Sequence, residues 1–126
     1  MAYGKFYLCE KCGNVIEIVT PSGVTPFCCG QKMTVLEAGT TDASREKHVP
    51  AVTVEGNTVK VCVGSVIHPM SEEHSILWIY LETDKGVKRV DLKPGEEPCA
   101  VFTLGDEKPV RAYAYCNLHG LWMSEI

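Results

Sequence analysis

Four cysteines crowd the first thirty residues: Cys9 and Cys12, separated by two residues, and the adjacent pair Cys28 and Cys29. A C-x2-C spacer lets both thiolates reach one metal while the intervening amides hydrogen-bond the sulfurs. Four thiolates make a tetrahedral set suited to zinc or to a single iron. A structural zinc ribbon would repeat the C-x2-C spacing on its second side. Neighbouring cysteines instead constrain the angle between their sulfurs, which predicts a distorted tetrahedron. Residue chemistry alone leaves zinc and iron both open at this set.

A second set lies beyond residue 47 and holds all four histidines of the chain. His48 stands alone, His68 and His74 share the segment His68-Pro69-Met70-Ser71-Glu72-Glu73-His74, and Cys116 and His119 share Cys116-Asn117-Leu118-His119. Four imidazoles and one thiolate form a plausible shell for a redox metal such as iron, because imidazole suits iron and a thiolate tunes its potential. A structural zinc would close with four ligands and leave one of the five spare. Glu46 and Lys47 immediately precede His48; each would be an ordinary solvated loop charge but for that neighbour.

The elements that must position these groups are strands. Phe6-Tyr7-Leu8 and Val15 to Val19 read as short strands around the turn-forming run Lys11-Cys12-Gly13-Asn14. Residues 1–36 are too few to bury a stable core, so a metal is the expected staple. Residues 37–47 are small and polar without periodicity and read as a linker. Residues 48–126 carry strand-forming apolar runs at Val49–Val54, Thr58–Val63, Ser75–Glu82, Val87–Leu92, Cys99–Leu104 and Val110–Cys116, and those at Thr58–Val63 and Val87–Leu92 alternate with period two. About seven short strands of this kind predict a β-sandwich. Pro69 to His74 is where a short helical turn could open, and His48 is expected to begin the first strand of the sandwich. Cys62 and Cys99 read as small strand cysteines rather than ligands. Trp78, Tyr80, Phe102, Tyr113 and Tyr115 read as sandwich packing, and Trp122 as packing or a cover for the histidine site.

Composition bounds the function. The chain has 126 residues, a formal net charge of -4, 22% charged residues and seven cysteines. An acidic chain has no electrostatic footprint for nucleic acid or for an anionic membrane. No apolar run approaches the ~20 residues of a membrane span. The segment Met1-Ala2-Tyr3-Gly4-Lys5-Phe6 lacks the apolar stretch of a secretory signal, which makes the cytoplasm the expected location. An odd cysteine count cannot be fully paired, and clustered cysteines in a reducing compartment bind metal more often than each other.

Two resemblances go beyond this chemistry. The spacing of Cys9, Cys12, Cys28 and Cys29 resembles desulforedoxin, a small protein that binds iron through four cysteines. The runs Glu46-Lys47-His48-Val49-Pro50, His68-Pro69-Met70 with His74, and Cys116-Asn117-Leu118-His119-Gly120-Leu121-Trp122 look like the three signatures of superoxide reductases. End to end, the chain resembles the desulfoferrodoxin family. That resemblance implies an all-β chain with a small desulforedoxin-like domain and an immunoglobulin-like sandwich, assembled as a homodimer. It implies two irons: one held by the four cysteines, the other by His48, His68, His74 and His119 equatorially and Cys116 axially, with the sixth position open to superoxide. Lys47 would then attract the superoxide anion, and Glu46 would close the open position in the oxidised form. Superoxide would be reduced to hydrogen peroxide, with an electron carrier such as rubredoxin as the donor. Two other classes stand beside this enzyme: a non-catalytic electron carrier, which would need a sixth ligand, and a zinc-stabilised interaction module, which would be colourless.

Overall fold

The computed structural model describes residues 6–40 and 43–126; the other residues of the N-terminal segment, and residues 41–42 of the expected linker, lie outside it. The chain divides into two compact units, Met1–Glu37 and Ala38–Ile126. As expected, it is nearly all-β, and the only helix among the described residues is one turn. Among those residues no helix is long and apolar enough to cross a membrane.

In the first unit β1 (Phe6–Leu8) lies between β2 (Val15–Glu17) and β5 (Thr34–Leu36), antiparallel to both. A separate hairpin joins β3 (Phe27–Cys28) to β4 (Gln31–Lys32). Its two-residue loop is Cys29-Gly30, with φ of 53° and 77°. Positive φ at both loop residues is the turn whose twist matches the flanking strands, and glycine carries the second position without strain. Cys28 therefore ends a strand while Cys29 occupies the turn. Among the described residues the buried core here is small, with Tyr7, Cys9 and Met33 clustered, Ile16 and Ile18 packed against them, and Phe6 buried as well, far short of what stabilises a domain without a staple.

The second unit is a sandwich of seven strands. One sheet has the order β10-β7-β6, from β6 (Pro50–Glu55), β7 (Thr58–Val63) and β10 (Cys99–Thr103). The other has the order β12-β11-β8-β9, from β8 (Ile76–Thr83), β9 (Gly86–Asp91), β11 (Pro109–Cys116) and β12 (Gly120–Glu125). Alternation turns Val59, Val61 and Val63 of β7 towards Ile79 and Leu81 of β8 and Ala112, Ala114 and Cys116 of β11, with Phe102 from β10 between them. Cys116 thus sits at the end of the inter-sheet core. A register shift between Tyr115 and Cys116 pairs Cys116 with Ile76 rather than with the next residue in phase, so Ile76 also turns inward. Irregularities of this kind re-aim side chains beside functional sites.

Several expectations need correction. The helix α1 (Arg45–His48) lies at the end of the segment read as a structureless linker, so His48 closes a helical turn and the strand starts at Pro50. Pro69 to His74 forms no helix; it is a loop of bends. The strand β12 was not expected, because Gly120, Trp122 and Met123 show no clean alternation of apolar and polar types. Cys62 and Cys99 are joined as a disulfide. Phe102 belongs to the inter-sheet core, whereas Trp78, Tyr80, Tyr113 and Tyr115 stack on the opposite face of the four-stranded sheet, with the Trp78 and Tyr115 rings 5.5 Å apart and nearly parallel.

Candidate metal centres

Four imidazoles of the second unit close into a square. Ring centroids are separated by 4.6 Å for His48–His68, 4.6 Å for His68–His74, 5.0 Å for His74–His119 and 4.9 Å for His119–His48. Each neighbouring pair is close to perpendicular, with interplanar angles of 79° to 85°. The His48–His74 diagonal is longer, at 6.3 Å, and its rings are tilted by only 31°.

Hydrogen bonds on the outer nitrogens decide what the inner ones can do. His48 Nδ1 donates to the Ser44 carbonyl and His68 Nδ1 to the Pro69 carbonyl, each at 2.6 Å. Both Nε2 atoms therefore carry lone pairs, and they face each other across 3.1 Å. Two acceptors at that distance need a cation between them. His119 Nδ1 approaches His48 Nε2 at 3.1 Å as well, and His74 Nε2 is buried without a hydrogen-bond partner. Cys116 Sγ lies 3.9 Å from His119 Nδ1, and the donor atoms of His48, His68, His74 and Cys116 all lie within 4.8 Å of one another. An orphaned buried nitrogen, opposed lone pairs and a buried thiol fit a transition metal with nitrogen and sulfur ligands.

The electrostatics agree. Burial pushes the His68 pKa down to about 4, with the other three imidazoles adding to the effect against the pull of the Pro69 carbonyl. Burial also lowers His48 and His74, and the positive charge of Lys47 bears on both. These imidazoles are neutral donors near pH 7. Burial raises the Cys116 thiol, opposed by hydrogen bonds from the backbone amides of Leu118 and His119.

The loops that carry these ligands are tied to each other. The Glu46 carbonyl accepts from the Val66 amide at 2.9 Å and from the Ser65 hydroxyl at 3.2 Å. The His68 amide donates to the Val63 carbonyl at 2.9 Å, which fixes the loop after β7. Asn117 brackets His74: its Oδ1 accepts from the Ser75 amide at 3.0 Å and its Nδ2 donates to the Glu73 carbonyl at 2.9 Å. Trp122 lies against the His48 ring at 5.0 Å and donates its indole N–H to the His119 carbonyl at 2.9 Å.

In the first unit Cys9, Cys12, Cys28 and Cys29 form a second cluster whose sulfurs lie within 4.8 Å of one another. The Cys12–Cys28 and Cys28–Cys29 sulfurs are 3.6 Å and 3.9 Å apart. The Cys12 backbone amide leads in pulling Cys9 down to about 6, while the Cys12 thiol leads in pushing Cys29 up to about 12. Cys28 is raised as well, first by Cys9. Four thiols this close cannot all ionise unless a cation takes up their charge.

The sequence matches the desulfoferrodoxin family over residues 40–125 and the N-terminal domain of desulfoferrodoxin over residues 2–36. The chain belongs to the desulfoferrodoxin family. A desulfoferrodoxin homolog from Archaeoglobus fulgidus is 52% identical over 118 residues, 94% of each chain. A superoxide reductase from Pyrococcus horikoshii is 42% identical over 103 residues, 68% of this chain and 90% of the relative. The solved superoxide reductase from Treponema pallidum superposes with a TM-score of 0.81 at 38% identity, covering 96% of this chain and 98% of that one. The four-cysteine and the four-histidine, one-cysteine sets fit the two iron sites of this family.

Every sequence-derived ligand falls in one of the two clusters. Glu46 and Lys47 are exposed on α1. Two residues that hold the site carry no sign of that role in the sequence: Ser44, whose carbonyl accepts from His48, and Asn117. Asn117 lies between the ligands Cys116 and His119, but a role that consists of bonding two backbone groups 42 and 44 residues away leaves no local signal.

Proposed function

We propose that His48, His68, His74, His119 and Cys116 hold the catalytic iron at which this chain acts as a superoxide reductase. Cys9, Cys12, Cys28 and Cys29 hold a second iron. The observation that carries this reading is the pair of opposed Nε2 lone pairs of His48 and His68 at 3.1 Å beside the orphaned Nε2 of His74. When bound there, iron supplies the electron that, with two protons, takes superoxide to hydrogen peroxide.

The chain's own groups do the rest. The Ser44 and Pro69 carbonyls hold two imidazoles in the tautomer that presents Nε2 inward. Cys116 supplies a buried anionic ligand, and the Leu118 and His119 amides temper its charge. His48 and His68 are buried whereas His74 and His119 are half-buried, so the square has an outer edge through which a small anion can enter. Lys47 offers a positive charge on a chain of net charge -4. At ~4 Å and an effective dielectric of ~20 such a charge is worth about 4 kcal/mol before solvation. Glu46, exposed beside it, would offer a carboxylate to the iron in its oxidised form.

On this reading residues 1–36 are the four-cysteine iron domain, 37–47 the connection and 48–126 the catalytic domain. The electron donor is a small carrier such as rubredoxin, and the protein works in the cytoplasm as a homodimer. Iron–thiolate chemistry suits a reducing compartment. The test is metal analysis and Mössbauer spectroscopy of the native protein, which should resolve two iron environments. Cys12→Ser should lose the first iron and still react with superoxide by pulse radiolysis once reduced. Zinc in both sites of a native preparation overturns the reading.

A further inference from the structure

Cys62 and Cys99 are paired outside both metal clusters. They lie 37 residues apart in sequence and face each other across the antiparallel strands β7 and β10. The Val63 amide donates to the Pro98 carbonyl at 2.8 Å, which makes Val63 and Pro98 a hydrogen-bonded position of the ladder. Positions alternate, so Cys62 and Cys99 occupy a non-hydrogen-bonded position, where facing side chains come closest. Two thiols there can meet without breaking a ladder bond. Val61, Val63 and Ala100 turn into the core, so the cysteines turn away from it, and both are half-buried rather than sealed. The pair also adjoins the site: Val63, next to Cys62, carries the carbonyl that holds the His68 amide.

We propose that Cys62 and Cys99 are a reversible thiol-oxidation site for hydrogen peroxide, the product of the iron centre in the same unit. The proposal rests on the superoxide reductase reading for the source of the peroxide and on the reducing compartment proposed with it for the reductant. One thiolate attacks a peroxide oxygen and the O–O bond breaks. A sulfenic acid remains, and the departing hydroxide takes up a proton and leaves as water. The second thiol displaces water from the sulfenic sulfur and the S–S bond forms. Two thiols lose two electrons and two protons, and one peroxide becomes two waters. Glutathione returns the electrons and protons by thiol–disulfide exchange. A disulfide in a reducing compartment is characteristically of this transient kind, whereas a structural one resists the glutathione pool.

The experiment uses the full chain with its metals. The protein is incubated anaerobically with reduced glutathione, freed of it, and exposed either to one equivalent of hydrogen peroxide or to superoxide with an electron donor, with and without catalase. Free thiols are then alkylated and the peptides containing Cys62 and Cys99 are weighed. Both peptides should take the alkyl tag before oxidation, and both tags should be lost together afterwards. Catalase should prevent the loss during turnover, and glutathione should restore the tags. Cys62→Ser, or Cys99→Ser if the first folds poorly, should stop at the sulfenic acid, trapped by dimedone on the remaining cysteine, with the superoxide reaction unchanged. Tags that survive an equivalent of peroxide overturn the proposal, as does a disulfide that glutathione never opens. Closure by added peroxide but not during turnover supports the oxidation site and counts against the iron centre as its source.

Discussion

Gly64→Ala tests how tightly the catalytic site depends on one missing methyl group. A Cβ at Gly64 would lie 2.6 Å from the Glu46 carbonyl oxygen, 2.9 Å from the Val49 oxygen and 3.0 Å from the Lys47 carbonyl carbon. All three atoms are backbone, so no side chain can swing aside. Relieving the closest contact to an ordinary 3.4 Å moves the two segments apart by about 0.8 Å. The segment that moves carries His48, whose Nε2 is 3.1 Å from that of His68. Overpacking of this kind costs about 1–3 kcal/mol, against a total stability of about 5–15 kcal/mol, so the chain still folds. A misplacement of about 1 Å in a reacting constellation costs on the order of 100-fold. The variant should therefore keep its four-cysteine iron, bind the second iron more weakly with a shifted visible band, and react with superoxide about 10- to 100-fold more slowly. The four-cysteine iron serves as an internal control, because all its ligands lie between residues 9 and 29. The assays are metal analysis, visible spectroscopy and pulse radiolysis beside the parent. A Gly64→Ala protein with both irons, an unchanged spectrum and an unchanged superoxide rate would refute the argument.

Lys47→Ala should slow the bimolecular step with superoxide by about 10-fold and flatten its dependence on ionic strength, with iron content intact; pulse radiolysis at several salt concentrations reads both. Asn117→Ala removes the two bonds that bracket His74 and should weaken iron binding at the second site by about 10- to 100-fold, measured by competition with a chelator. The metal-free protein should lose stability as the pH falls from about 6.5 towards about 4, followed by its denaturant midpoint. His68 is held down at about 4, so over that interval the unfolded chain takes up a proton that the fold refuses; stability is complete above the unfolded value and declines below it. A midpoint that stays flat across this interval would contradict the burial of His68.

The ligand sets of both centres were legible in the one-dimensional order of residues, because metal ligands are few residue types with short spacings, whereas residue chemistry left zinc and iron both open at the four cysteines. Cys9 and Cys12, His68 and His74, and Cys116 and His119 each come as local pairs that a single loop can present. All the sandwich strands but β12 were legible as strand-forming runs, among which Thr58 to Val63 shows the two-residue alternation that burial on one face imposes. What joins the pairs was not. Whether His48 meets His68, or Cys62 meets Cys99, depends on which strands become neighbours and in what register, and cysteines 37 residues apart carry no mark of that pairing. The helical turn at Arg45–His48 has no periodicity long enough to be read, because four residues barely complete one turn. Gly64 looks like any loop glycine until the Glu46–Val49 backbone is packed against it. The ligand types follow from the chemistry of single side chains. The square they form, the tautomers that aim it and the closeness of the second thiol pair arise only when distant backbone segments hydrogen-bond and pack, which is a property of the folded chain.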